Sequence, residues 1–100
     1  VHFVYLVRCA DGTLYTGYAR DPVARARVHN TGRGARYTSG RRPVRLVYAE
    51  AWDSRGDALK REYEIKRWSR DKKEALIRGA GRRARRQPRS IAPLRRLTRF

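Results

Sequence analysis

The sequence predicts an α+β fold: a small three-stranded, mainly antiparallel sheet flanked by helices in the order β-β-α-β-α-α, followed by a basic C-terminal tail. Three observations carry this expectation. Residues 3–9 are apolar on both faces and run into Asp11-Gly12, a turn signal that closes a hairpin. Helix-opening pairs, Asp21 with Pro22 and Ser54 with Asp57, stand on either side of a third apolar run. All 9 acidic residues lie before position 79, whereas residues 79–100 hold 8 arginines and no acid.

Each element has its own local cause. Phe3, Tyr5, Val7 and Cys9 alternate with Val4 and Leu6, as expected of a central strand covered on both sides. A second strand follows from Leu14 to Tyr18, with Gly17 marking a close approach by another backbone or a ligand. Asp21 as N-cap and Pro22 in the first helical position start a helix whose apolar stripe is Val23, Ala24 and Val28, and Gly32 ends it. Thr31 to Pro43 holds three Gly, one Pro and four Arg without periodicity, and reads as a basic loop able to lie along a phosphate backbone. Val44 to Trp52 forms the third strand. Ser54 and Asp57 open a helix to about Trp68, and Ser69 and Asp71 open a shorter one that ends at Gly79. Residues 1–79 are thus expected to form one domain, and residues 80–100 a flexible basic tail.

Charge bounds the partners. With 26 Lys and Arg against 9 Asp and Glu, the chain carries +17, and a polyanion that displaces the counterions over such a surface gains the entropy of their release. Nucleic acid is the expected partner, DNA or RNA, held through its backbone. Ribosome association, an anionic membrane surface or plain solubility are also compatible with the same number. A single cysteine, Cys9, excludes a disulfide framework and a cysteine metal cluster, which fits a reducing cytoplasm. No apolar run approaches the ~20 residues of a membrane-spanning helix, and nothing at the amino end resembles a secretory signal. The chain starts at Val1 without an initiator Met, which suggests trimming.

Glu62 is the most informative candidate for chemistry. At about 100° per residue the second long helix places Ala58, Leu59, Tyr63 and Ile65 on one arc with Glu62 inside it, and Lys60, Arg61, Glu64 and Arg67 on the solvent side. A carboxylate facing the core needs a cation, either a basic side chain or a metal ion. One carboxylate cannot cage Mg²⁺, but it suits an ion that keeps its waters and takes further ligands from substrate phosphate. Arg25 and His29, four residues apart, share a face beside the apolar stripe and can reach one ligand. A guanidinium grips phosphate through two parallel hydrogen bonds and keeps its charge. The alternatives stay open: an ion pair for Glu62, a solvated arginine, a surface histidine, and core aromatics for Tyr5 and Tyr15.

Phe3-Val4-Tyr5 and Tyr15-Thr16-Gly17, nine residues apart, followed in order by Arg25, His29 and Ala58-Leu59-Lys60-Arg61-Glu62, resemble the GIY-YIG nuclease family over roughly residues 3–78. The triplets depart from the family name, reading Phe-Val-Tyr for Gly-Ile-Tyr and Tyr-Thr-Gly for Tyr-Ile-Gly, and Tyr18 stands where some relatives carry a lysine. The resemblance implies a small stand-alone bacterial protein with Tyr5, Tyr15, Arg25, His29 and Glu62 as catalytic residues and Glu62 as ligand of a single Mg²⁺ or Mn²⁺. Arg25 is assigned over Arg27, which points toward the apolar stripe. Tyr15 is favoured to take the proton from the attacking water, with Tyr5 orienting it. Arg27, Arg33, Arg36, Arg41, Arg42 and Lys66 are assigned to nucleic-acid contact.

The activity so implied is metal-dependent endonucleolytic hydrolysis of DNA, selective for structure rather than sequence, in repair or recombination, in the cytoplasm at the nucleoid. A non-catalytic nucleic-acid-binding module, or a nuclease subunit that needs a protein partner, are the alternatives. No membrane association is expected.

Overall fold

In the computed structural model, residues 1–79 are described; the basic segment 80–100, expected above to be a flexible arm, lies outside the described residues. The elements are β1 (His2–Arg8), β2 (Leu14–Ala19), α1 (Pro22–Asn30), α2 (Arg36–Ser39), β3 (Arg45–Trp52), α3 (Arg55–Lys66) and α4 (Arg70–Arg78). β1 is central and pairs antiparallel with both neighbours, giving the sheet order β2-β1-β3. The expected sheet, helices and element order are therefore present, with one addition. The segment read as a basic loop contains the short helix α2. Its cap, Ala35, has no side-chain oxygen to announce a helix start.

The local signals act as their chemistry dictates. Asp21 accepts a hydrogen bond from the Ala24 N–H, Ser54 from the Asp57 N–H and Ser69 from the Lys72 N–H, so side-chain oxygens satisfy orphan donors at three helix starts. Gly12 and Gly32 both adopt positive φ, in the β1–β2 turn and just after α1.

Alternation along β1 builds two apolar layers. Val4 and Leu6 pack with Leu14, Val47, Tyr48, Ala58, Ile65 and Leu76 beneath α3 and α4. Tyr5, Val7 and Cys9 pack with Ala19, Val44, Leu46 and Ala49, and with Val23 and Ala26 of α1. Long-range polar contacts close the molecule. Arg8 donates two hydrogen bonds of 2.7 Å to Glu74, tying β1 to α4. Asn30 exchanges hydrogen bonds with the Val44 backbone, and the Ala10 N–H donates to the Arg41 carbonyl. The excursion between α1 and β3 is thereby pinned at both ends and to the hairpin.

Two helix faces differ from expectation. On α1 the buried or half-buried positions are Pro22, Val23, Ala26 and His29, whereas Ala24 and Val28 are exposed. Hydrophobicity misled because His29 belongs to the core-facing arc and Val28 does not. A fully buried imidazole is tolerable only when both nitrogens are bonded, which no helical period reveals. On α3, Ala58 and Ile65 are buried as expected, but Tyr63 is 65% exposed and Arg61 turns inward. At about 100° per residue Tyr63 stands ~140° from Ala58, whereas Arg61 is only ~60° away.

Arg61 turns inward because of Glu50. That carboxylate is fully buried on β3 and accepts from Tyr48 Oη at 2.5 Å, Trp52 Nε1 at 2.7 Å, and Arg61 Nε and a terminal nitrogen at 2.8 and 3.3 Å. Burial first, then the Glu50 charge, pushes the Tyr48 hydroxyl far above the ordinary phenol range, so this tyrosine is a fixed donor. The acid locked by a base in this protein is Glu50, not Glu62.

Candidate active site

His29 is the hub of the opposite layer. It is fully buried; its Nε2 lies 2.8 Å from Tyr5 Oη and its Nδ1 2.8 Å from Thr38 Oγ1. Tyr15 meets the same imidazole edge-on at 5.2 Å between ring centroids. Two strands, α1 and α2 thus each contribute one side chain to a single contact group. β2 is one of the two edge strands, and its alternation puts Tyr15 and Gly17 on the layer of Tyr5, while Tyr18 faces the other way and bonds His2 at 2.6 Å.

Gly17 explains why Tyr5 can reach inward. Paired with Tyr5 across the β1–β2 ladder, it carries the phenol directly over its Cα; a Cβ there would lie closer than 3.0 Å to Oη, Cζ and Cε2 of Tyr5. The close approach expected at Gly17 is therefore a side chain of this chain, neither a backbone nor a ligand. Gly34 does the same for His29, since a Cβ there would collide with Nδ1 and Cγ.

The charged members surround this cluster. Burial first, then neighbouring Tyr15, pushes the Tyr5 hydroxyl far above the ordinary phenol range; the Arg25 charge opposes the shift, and Glu62 adds to it. Tyr5 therefore stays a neutral hydroxyl. His29 is held below its ordinary pKa by burial and then by Arg25, so it is neutral at pH 7. Arg25 itself is exposed. Glu62 is largely covered, at 17% side-chain exposure, and pairs at 3.2 Å with Lys66, which is 48% exposed. The Lys66 ammonium also sits 5.9 Å from the Tyr15 ring centre. All five candidate residues thus fall in one neighbourhood. Because both ring nitrogens of His29 are engaged inside the protein, its part in such a site is to hold Tyr5, not to grip a phosphate alongside Arg25.

The acid suits a divalent ion of one kind only. Among the described residues no three His, Cys, Asp or Glu side chains gather to cage a metal. Glu62 is held by one flexible, half-exposed ammonium, a pairing worth little in water. A hard cation that keeps its waters can compete for such a carboxylate, and Mg²⁺ binds in that way.

Of the residues assigned to nucleic-acid contact, Arg27, Arg33 and Arg36 are exposed. Arg27 points to solvent rather than toward the apolar stripe, because the stripe lies on the Pro22–Ala26–His29 side. Arg41 lies 4.1 Å above the Tyr37 ring and pairs with Asp11 at 3.2 Å, while Arg42 donates to the Ser39 carbonyl; both help hold the loop. Tyr37 stacks on Tyr15 at 5.9 Å. Tyr37, Thr38 and Glu50 were missed in the sequence, the first two because α2 is too short to show a period. An open hollow lined by Asn30, Ser39, Gly40, Arg42 and Pro43 contains none of the five candidates. Among the described residues no helix is long and apolar enough to cross a membrane.

Tyr5 on the central strand and Tyr15 on an edge strand thus meet one covered histidine, with an arginine and a carboxylate nearby. The GIY-YIG catalytic domain matches residues 1–75, and the chain belongs to the GIY-YIG family. It is 60% identical over 76 residues to UPF0213 proteins of Staphylococcus aureus strains Mu50 and N315, a match that covers 76% of this chain and 93% of each relative. It is also similar to the UPF0213 protein BH0048 from Bacillus halodurans, solved by solution NMR, at 49% identity over 76% of this chain and 81% of that one, with a TM-score of 0.50.

Proposed function

We propose that this protein is a divalent-metal-dependent endonuclease that hydrolyses DNA phosphodiester bonds, choosing its substrate by shape rather than sequence. The observation that carries the reading is the convergence of Tyr5, Tyr15 and His29, with Glu62 left in a weak pair with Lys66 instead of a buried lock. Water attacks phosphorus in line as the 3′ oxygen leaves. Tyr15, less covered than Tyr5, takes the proton from the water. Tyr5, held by His29, stays neutral and orients the reacting groups. Arg25 binds an equatorial oxygen, where charge gathers in the transition state. Glu62 would hold Mg²⁺ or Mn²⁺, an ion that when bound polarises the phosphoryl oxygen and neutralises charge on the leaving group.

Backbone contacts by Arg27, Arg33, Arg36, Arg41, Arg42 and Lys66 bring affinity without base readout. On this reading the protein works on chromosomal DNA in the cytoplasm, in repair or recombination. The test is incubation with supercoiled, branched and single-stranded DNA in Mg²⁺, Mn²⁺ or EDTA, beside Glu62→Ala. Cutting that needs the metal and disappears in the variant supports the proposal. Equal binding by both proteins with no cutting would leave a binding module, or a subunit awaiting a protein partner.

A further inference from the structure

α2 brings Thr38 to His29, and the hydrogen count around that contact is decisive. Thr38 is fully buried and has one hydroxyl hydrogen for two neighbours, the Ala35 carbonyl at 3.1 Å and His29 Nδ1 at 2.8 Å. Neutral imidazole has one N–H and one bare nitrogen, so two arrangements exist. In the first, Nδ1–H donates to Thr38 Oγ1, Thr38 donates to the Ala35 carbonyl, and Tyr5 donates to the bare Nε2. In the second, Thr38 donates to Nδ1 and Nε2–H donates to Tyr5, so the Ala35 carbonyl loses the hydroxyl. The first arrangement makes one more hydrogen bond, from the fully buried Thr38 hydroxyl to the Ala35 carbonyl, which also accepts the Ser39 N–H. Gly34 keeps the contact tight, because only a residue without Cβ lets the loop before α2 lie against the imidazole.

We propose that Thr38 is a positioning residue of the site: its hydroxyl fixes His29 in the Nδ1–H tautomer, so that Tyr5 donates inward to Nε2 and turns its oxygen lone pairs outward. Tyr5 then meets the reacting groups as an acceptor, able to align the attacking water. The second-layer hydroxyl thereby decides the hydrogen-bond polarity of a residue it never touches. This catalytic consequence rests on the nuclease reading above; the tautomer does not.

The experiment measures the His29 ring nitrogens in ¹⁵N-labelled full-length protein at pH 7.5 by long-range ¹H–¹⁵N NMR, for wild type, Thr38→Ser and Thr38→Val, with DNA cleavage by the same samples. Wild type and Thr38→Ser are expected to show a protonated Nδ1 and a bare Nε2, and Thr38→Val to lose that pattern. Where the wild type cuts DNA, Thr38→Val is expected to lose about 10- to 100-fold in rate while Thr38→Ser recovers most of it, the range seen when a partner that orients a functional histidine is removed. A wild-type protein with the proton on Nε2 overturns the proposal without recourse to any variant, and so does Thr38→Val with an unchanged tautomer. Thr38→Val that changes tautomer yet cuts at the wild-type rate overturns the catalytic half. A wild type that shows the expected tautomer but never cuts sinks the nuclease reading and leaves the role of Thr38 in His29 standing.

Discussion

Tyr5 and Gly17 stand opposite each other in the β1–β2 ladder, and the phenol ring of the first occupies the space a side chain on the second would need. The glycine of the second family triplet is thus explained by the tyrosine of the first. Gly17→Ala is expected to push the ring off its path to His29 and to destabilise the fold by about 1–3 kcal/mol, as overpacking does. Urea unfolding of the two proteins measures it, and an unchanged midpoint would show that the ring has room to move.

Glu50 should matter for stability and not for chemistry. Its carboxylate accepts from Tyr48, Trp52 and Arg61 beneath α3, so Glu50→Ala leaves a half-buried guanidinium and two donors without their acceptor. The expected loss is about 3–5 kcal/mol, the usual cost of removing one partner of a buried pair. Glu62→Ala, by contrast, removes a carboxylate paired with one half-exposed lysine and should shift the unfolding free energy by no more than about 1 kcal/mol. Chemical denaturation of both variants decides which acid the fold depends on.

Stability should also fall in mild acid through His29. Its pKa is lowered in the folded state from an ordinary 6.5, by burial and then by Arg25. Above pH 6.5 the imidazole is neutral whether folded or not, and its buried bonds contribute fully. As pH drops below 6.5 the unfolded chain takes up a proton that the folded one refuses, so unfolding becomes easier until the folded pKa is passed. His2 shifts in the same direction, so the measurement uses His2→Gln, with unfolding followed from pH 7.5 to 5.5. That window stays above the ordinary 4.5 and 3.8 of Glu74 and Asp11, whose pKa values are lowered further. A flat profile would contradict a buried neutral histidine.

The last 21 residues carry 8 of the 26 basic side chains, and residues 1–79 retain 18 against 9 acids. Deleting residues 80–100 is therefore expected to weaken DNA binding and to flatten the dependence of log affinity on log salt, because fewer counterions are released. Titrations between 50 and 200 mM salt, on the order of the range where this effect is large, give the two slopes. Equal slopes would show that the body alone neutralises the phosphates.

Much of the fold was legible because its signals are local. Asp21, Ser54 and Ser69 bond backbone groups three residues away, Asp11-Gly12 turns one hairpin, and the alternation of β1 marks a strand buried on both faces. The order of Tyr5, Tyr15, Arg25, His29 and Glu62 was equally visible, as was the prospect that they share a site. Orientation was not. Whether His29 faces solvent or core, whether Arg61 is a surface charge or the partner of Glu50, and whether Thr38 touches anything depend on contacts 24, 11 and 9 residues apart in sequence. A buried polar side chain is stable only where its partners wait, and only the closed chain sets those partners in place. Sequence alone thus settled every element but the short α2 and which residue types are available for chemistry, since both follow from short-range bonds and composition. Tertiary structure decided which of two acids is locked and which is left in a weak pair, and which way the histidine faces, because those outcomes depend on desolvation and pairing across the sheet.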